Sequence, residues 1–478
     1  MNEKVVQTKK KTIETLMMAV IGSCALAFNY LFSAYNNLIS GIFLVLLAIF
    51  LYFYIVLSLA EKNWMDIRAV FSGVWFGTIG LATLRLTAYQ EPWQNKTWIL
   101  LGLTYLVFQV GAFFGERFGN NCFNKTIEKI SKVKTKKIYF EFKENRLFII
   151  CVVTTLIGLV CFVANIFIKG YIPCFSKSPS AYVDFYTKFH IFSLASTIAC
   201  GLCYYCIKTQ KLSLWKKIVL WICILYLLII YPIMIVSRGT FVIIALYFTT
   251  VVFYLNKRRF IALVLCVVII FGVYMLASEL RNLTDEQLSV LFDPVKIGIG
   301  DDTENPDSEI QPNDTNIPSF QLSPKMAFLY GYLTVGHDNF NEAVQNLEDY
   351  TFGTRTLKPF NVVLRIPVIH EISKKVKNHF VRPYLNTNNF LGEYYYDFHE
   401  WGVALLVLIF AFFSTTIQKS AFSNGNIFLI MSSGVVFYAV FLVFFANMAC
   451  LFEFWMFLGL ILIFAFISSI NIKKHNLC

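Results

Sequence analysis

Charge is scarce in this sequence. Only 15% of its 478 residues are Asp, Glu, Lys or Arg, where a soluble globular chain carries about 25%. Proline (12) and histidine (6) are also few, and no Pro- or Gly-rich stretch is long enough to separate domains. What fills the space is apolar: 57% hydrophobic residues, 17% aromatic, 49 of them Phe. So few polar groups cannot cover that much apolar surface in water. A soluble enzyme, a disordered chain and a DNA-binding protein are excluded. Acids are the rarer charge, 29 against 41 bases, for a formal net charge of +12. In a membrane protein such an excess is first tested against the positive-inside rule.

Cysteine says little. Most of the 12 cysteines sit inside apolar runs, for example Cys151, Cys161, Cys223 and Cys266, where thiols behave as small hydrophobes. Cys200, Cys203 and Cys206 have ligand-like spacing, but no second ligand group lies nearby and no metal site is expected. Only Cys174 falls well inside an expected outer loop, so no disulfide framework is expected either.

A bilayer core needs about 20 apolar residues per helix. That ruler predicts about twelve spans, near 15–35, 38–60, 67–87, 98–114, 147–168, 191–207, 218–236, 241–255, 260–278, 401–417, 427–445 and 451–470. No small-residue cleavage site follows the first, which argues against a cleaved signal peptide. With Lys9, Lys10 and Lys11 held in the cytoplasm, alternation keeps Lys62, Arg68, the basic loop 117–146, Lys419 and Lys473 inside as well. Both termini are therefore expected in the cytoplasm. The net charge is topological, and no nucleic-acid partner is expected.

The expected fold is an all-α polytopic membrane protein in three parts: 1–279, about nine helices; 280–400, a large extracytoplasmic, mostly helical loop; 401–478, about three helices. The loop is acidic over 285–314, and no EF-hand spacing supports calcium there. It is basic over 355–382. Helical periodicity predicts a helix over 324–347 and an amphipathic helix over 362–376 broken at Pro367.

Charged groups at membrane depth need a reason. Arg85, Arg238 and Arg281 all fall at the expected outer ends of spans, beneath the basic half of the loop with its Arg355, Arg365 and Arg382. Each alone caps a helix or snorkels to headgroups as readily as it binds a ligand. Together they suggest a diphosphate site, because guanidinium donates two parallel hydrogen bonds and keeps its charge. No metal and no cofactor is called for. An acceptor hydroxyl needs a base, for which His337, Glu393 and Asp397 are candidates, Asp397 serving equally well as a helix N-cap. Tyr384, Phe390, Tyr394, Tyr395 and Tyr396 read either as a sugar-stacking wall or as an interfacial aromatic belt.

Ser237-Arg238-Gly239 before an apolar span, Arg281 after the next, and Asn386-Thr387 followed by Tyr395-Tyr396-Asp397-Phe398 and Gly402 form a pattern. It resembles the O-antigen and capsular oligosaccharide repeat-unit polymerases (Wzy-type). The chain departs from it at His399, where Gly is usual. The resemblance implies a GT-C-like glycosyltransferase of the bacterial inner (cytoplasmic) membrane. It would move a growing glycan from undecaprenyl diphosphate onto an incoming lipid-linked unit, with a chain-length regulator and a flippase as partners. An O-antigen ligase has the same donor and a similar layout. A flippase or transporter would show repeats and helices broken at midplane, which are not evident.

Overall fold

The computed structural model describes residues 3–60, 62–87, 89–131, 144–176, 184–256, 264, 323–364, 366–367, 371–372, 376–382 and 385–469. Within them the apolar runs fold as helices: α1 (Glu3–Tyr35), α2 (Asn37–Tyr54), α3 (Ile67–Thr83), α4 (Asn95–Ser131), α5 (Glu144–Lys169), α6 (Lys188–Ser196) and α7 (Ala199–Thr209). Then come α8 (Leu214–Leu225), α9 (Arg238–Leu255), α10 (Pro324–Asn346), α11 (Lys358–Leu364), α12 (Gly392–Asn424), α13 (Ile427–Phe441) and α14 (Phe452–Ser469).

Polar residues at the ends of apolar runs set the boundaries. Asn36, Asp66, Thr187, Ser237 and Asn426 cap α2, α3, α6, α9 and α13, each side chain accepting a bond from a first-turn amide. Gly425 ends α12 at φ 62, a conformation that suits glycine. Pro232 has no amide to donate, and α8 absorbs this in a wider π turn over Tyr226–Ile230.

Among the described residues, 8 helical segments are long and apolar enough to cross a membrane, an architecture consistent with a helical membrane protein. Three expected spans are shorter apolar helices instead, Ile67–Thr83, Ile427–Phe441 and Phe452–Ser468. The expected span 260–278 lies outside the described residues, apart from Val264. The expected span 191–207 is interrupted: α6 and α7 meet at a turn where Thr197 Oγ1 and Ser196 Oγ donate to Leu194 and Ser193 carbonyls. Such hydroxyls compete with the helical ladder.

Lipid tails give helices no hydrophobic reason to associate, so close packing of small residues does the work. Gly111, Gly115 and Gly119 line one stripe of α4, and α12 lies directly on it. A methyl at Gly111 or Gly115 would run into the carbonyl oxygens of Leu408 and Phe412. Gly41 of α2 and Gly80 of α3 bring those two backbones together similarly. Replacing Gly115 with Leu is expected to cost about 3 kcal/mol or more, because the obstacle is backbone and cannot rotate away. Thermal melts in detergent against Gly459→Leu provide the check, since Gly459 faces open space.

α3, α4 and α12 run the length of the bundle and define its two ends. The end holding the α3–α4 connection, α10 and the start of α12 is called the loop end below. At the opposite end, Glu116 of α4 bridges Arg68 (2.8 Å) and Lys419 (3.1 Å), while Arg68 also meets its own cap residue, Asp66 (3.3 Å). Arg68 and Lys419 were expected on the cytoplasmic side of the membrane. The structure buries Arg68 between two carboxylates, Asp66 at the cap of α3 and Glu116 of α4, which neutralise it.

Candidate active site at the loop end of the bundle

α10 holds a run of polar residues, Gly336-His337-Asp338-Asn339 and Asn341, that the structure buries almost completely. Each is satisfied by a different segment, as burial of polar groups requires. The Asp338 carboxylate accepts from Trp93 Nε1 (2.9 Å) and Gln90 Nε2 (3.1 Å) of the α3–α4 connection. Asn341 Oδ1 accepts from Gln94 N (3.0 Å) and Thr97 Oγ1 (2.8 Å). Asn339 donates to the carbonyls of Leu385 and Thr387 and accepts from Val381 N. Gly336 allows Asn389 and Phe444 to approach its backbone, and Asn389 N donates to its carbonyl at 3.0 Å. Tyr330 completes this face, its hydroxyl 2.8 Å from Gln90 Oε1 and 2.9 Å from the Leu81 carbonyl.

His337 is one of these fasteners. Asn389 Nδ2 donates to its Nδ1 at 3.1 Å, so Nε2 carries the proton and donates to Thr78 Oγ1 at 2.9 Å. Trp75 and Trp93 pack against the ring. Burial pushes its pKa down to about 3, while burial pushes the Asp338 carboxyl up to about 7 against the pull of Trp93, Gln90 and Arg85. A ring with both nitrogens engaged and so low a pKa is unsuited to the general-base role expected of it. It ties α10 to α3.

Asp397 is likewise occupied, though not as the N-cap of a span. Its carboxylate accepts from Thr351 Oγ1 (2.5 Å), Thr356 Oγ1 (2.6 Å), Thr356 N (2.8 Å) and Arg355 N (3.1 Å). It holds the 351–357 turn against α12. On the same face of α12, Glu393 keeps a third of its side chain exposed and lies 3.6 Å from Arg355 Nη1. Of the three expected bases, Glu393 alone retains a reachable carboxylate.

The arginines do not form the single cluster expected of them. Arg238, the first residue of α9, is buried with its guanidinium over the rings of Phe328 (4.8 Å) and Tyr332 (5.7 Å) of α10. Val236, just before the Ser237 cap, has φ 52, a genuine outlier for a β-branched residue. Arg85, at φ 51, ends α3 half-buried near Asp338 and Tyr330, and burial lowers its pKa. Tyr330 is two residues from Phe328 and from Tyr332, so at about 100° per residue Arg85 and Arg238 approach opposite sides of α10. Arg355 lies flat on Tyr396 (3.6 Å) and donates to Asn378 Oδ1 (2.6 Å) and the Val376 carbonyl (3.3 Å). Arg382 is exposed. Arg281, Arg365 and Tyr384 lie outside the described residues. Charge and depth suggested convergence; the separate partners of each guanidinium were not visible in sequence.

Tyr395 and Tyr396 point different ways. Tyr396 lies under Arg355, its hydroxyl accepting from His379 N at 2.7 Å. Tyr395 is buried, edge-on to Phe340 and stacked on His399. His399 itself sits at φ 47, ψ −133, inside a kink of α12. This is close to the first central position of a type II′ turn, where Gly dominates. Here a His holds that conformation, at a cost in backbone strain. Gln90, Trp93, Asn339, Asn341 and Asn389 were not singled out as site residues; Asn339 and Asn341 had one signal in the sequence, amides recurring within an otherwise apolar-periodic segment.

No protein-family profile, no curated protein and no solved structure matches the chain. The functional reading therefore rests on the residues and geometry above.

Proposed function

We propose that this chain is a membrane glycosyltransferase acting on polyprenyl-linked sugars. Within that class, we assign it the polymerisation of oligosaccharide repeat units, moving the growing glycan from undecaprenyl diphosphate to an incoming lipid-linked unit. The loop end then faces the outside of a bacterial cytoplasmic membrane, both termini face the cytoplasm, and a flippase and a chain-length regulator work beside it.

Arg238 carries this reading. A guanidinium at the N-terminal, positive end of α9, in a strained turn covered by α10, suits a diphosphate headgroup at the membrane surface. As the anomeric carbon leaves the diphosphate oxygen for the acceptor hydroxyl, negative charge grows on the departing diphosphate. A fixed cation lowers the energy of that state. The hydroxyl proton passes to Glu393, whose open carboxylate is held near Arg355.

Deleting the gene in its own host tests the reaction class. Single repeat units should accumulate on the lipid carrier or on the lipid A core, with no longer chains. Loss of all glycan attachment, with long chains persisting on the carrier, would assign a ligase instead.

A further inference from the structure

Near the kink of α12, three aromatic rings stack in sequence. His399 lies between Tyr350 (centroids 4.2 Å, planes 30° apart) and Tyr395 (4.8 Å, 11°). Phe352 stands 5.6 Å from Tyr350. Tyr350 is 42% exposed and Phe352 67% exposed, whereas Tyr395 at the base of the stack is buried. Beside the stack, Lys96 and Glu400 form a 2.6 Å ion pair with each side chain nearly half in solvent, and Lys96 lies 5.6 Å from the Tyr395 ring centre.

Two backbone facts set this patch apart from an ordinary interfacial belt. His399 occupies a conformation that Gly adopts without cost, and Phe352 sits at φ 48, also left-handed. Strained positions persist only where the surroundings over-determine them, and they gather at sites with a task. A belt aromatic, anchored by water on one side and lipid on the other, needs no such backbone. His399 Nε2, moreover, is buried with no hydrogen-bond partner among the described residues. The ring is held by stacking, and its effect falls on the tilt of Tyr350.

We propose that the Tyr350–His399–Tyr395 stack, with Phe352 beside it and the Lys96–Glu400 pair at its edge, is a saccharide-binding platform. His399 is its positioning residue. Sugar rings carry an apolar C–H face that lies well on an exposed aromatic face, and hydroxyls around the rim that take a donor from Lys96 and an acceptor from Glu400. In the proposed reaction, on which this assignment of a ligand rests, the platform seats the incoming acceptor glycan.

The strain makes the test unusually clean. His399→Gly removes the ring and relaxes the backbone, so stability and binding should move in opposite directions. The full chain in detergent is titrated with free oligosaccharide, released by mild acid from the host's own lipid-linked pool, and its melting temperature is recorded in parallel. His399→Gly should melt higher than wild type yet bind about tenfold more weakly. Tyr350→Ala should bind as weakly with its melting temperature unchanged, and His399→Asn repeats the first comparison if the Gly variant is poorly made. Wild-type-like affinity in His399→Gly or His399→Asn, or no binding by wild type, overturns the platform. Binding that follows the variants, in a protein that makes no polymer from lipid-linked units, sinks the polymerase reading and leaves the platform standing.

Discussion

Replacing Arg238 with Ala is expected to lower chain extension by about 100-fold or more, the usual scale for removing a fixed group that stabilises transition-state charge. The protein should still reach the membrane and fold. α9 keeps its Ser237 cap, which accepts from Thr240 N at 3.3 Å and donates to Thr240 Oγ1 at 2.9 Å. Phe328 and Tyr332 would lose a cationic neighbour but keep their packing against Tyr89, Val335 and Leu385. Arg238→Lys should restore only part of the activity, because an ammonium offers a diphosphate a point charge in place of a fork able to donate two parallel bonds. Glycan length on gels, at matched membrane expression, is the readout. Normal polymer length in Arg238→Ala would remove this residue from the site.

Asp397→Asn should act in the opposite manner, on folding and not on chemistry. Four donors converge on that carboxylate, two hydroxyls and two amides. An amide in its place turns one acceptor into a donor facing donors. The cost is expected to be about 2–4 kcal/mol, from charge-assisted bonds lost and a buried amide left unsatisfied. Turnover per folded molecule should stay within about threefold of wild type, while the melting temperature falls. A catalytic base would give the reverse, a loss of about 100-fold or more in turnover at an unchanged melting temperature. Glu393→Gln is the matched comparison, since its carboxylate, a third of the side chain exposed, supports little structure and is assigned the proton.

The two expectations show where the sequence was readable. Long apolar runs with polar caps, such as Asn37–Leu59 and Arg238–Leu255, locate themselves, because bilayer thickness and hydrogen-bond saturation leave helices as the available solution. The helix Pro324–Asn346 announced itself by periodicity and by a proline at its first turn. What stayed hidden depends on partners far away in the chain. Asp338 meets Gln90 across 248 residues, and Asn389 meets His337 across 52. A polar residue looks equally available for catalysis until those partners are known. His337 and Asp397 therefore read as bases, while in the structure their polar atoms are engaged by Thr78, Asn389, Thr351, Arg355 and Thr356. His399 read as a departure from a pattern; only its dihedral angles showed that it holds a left-handed conformation inside a kink.

The most direct measurement places the purified chain in proteoliposomes with undecaprenyl-diphosphate-linked repeat units and no other enzyme. The account predicts a ladder of glycans in whole multiples of the unit, with undecaprenyl diphosphate released at each addition. Units that stay single on the carrier would contradict it.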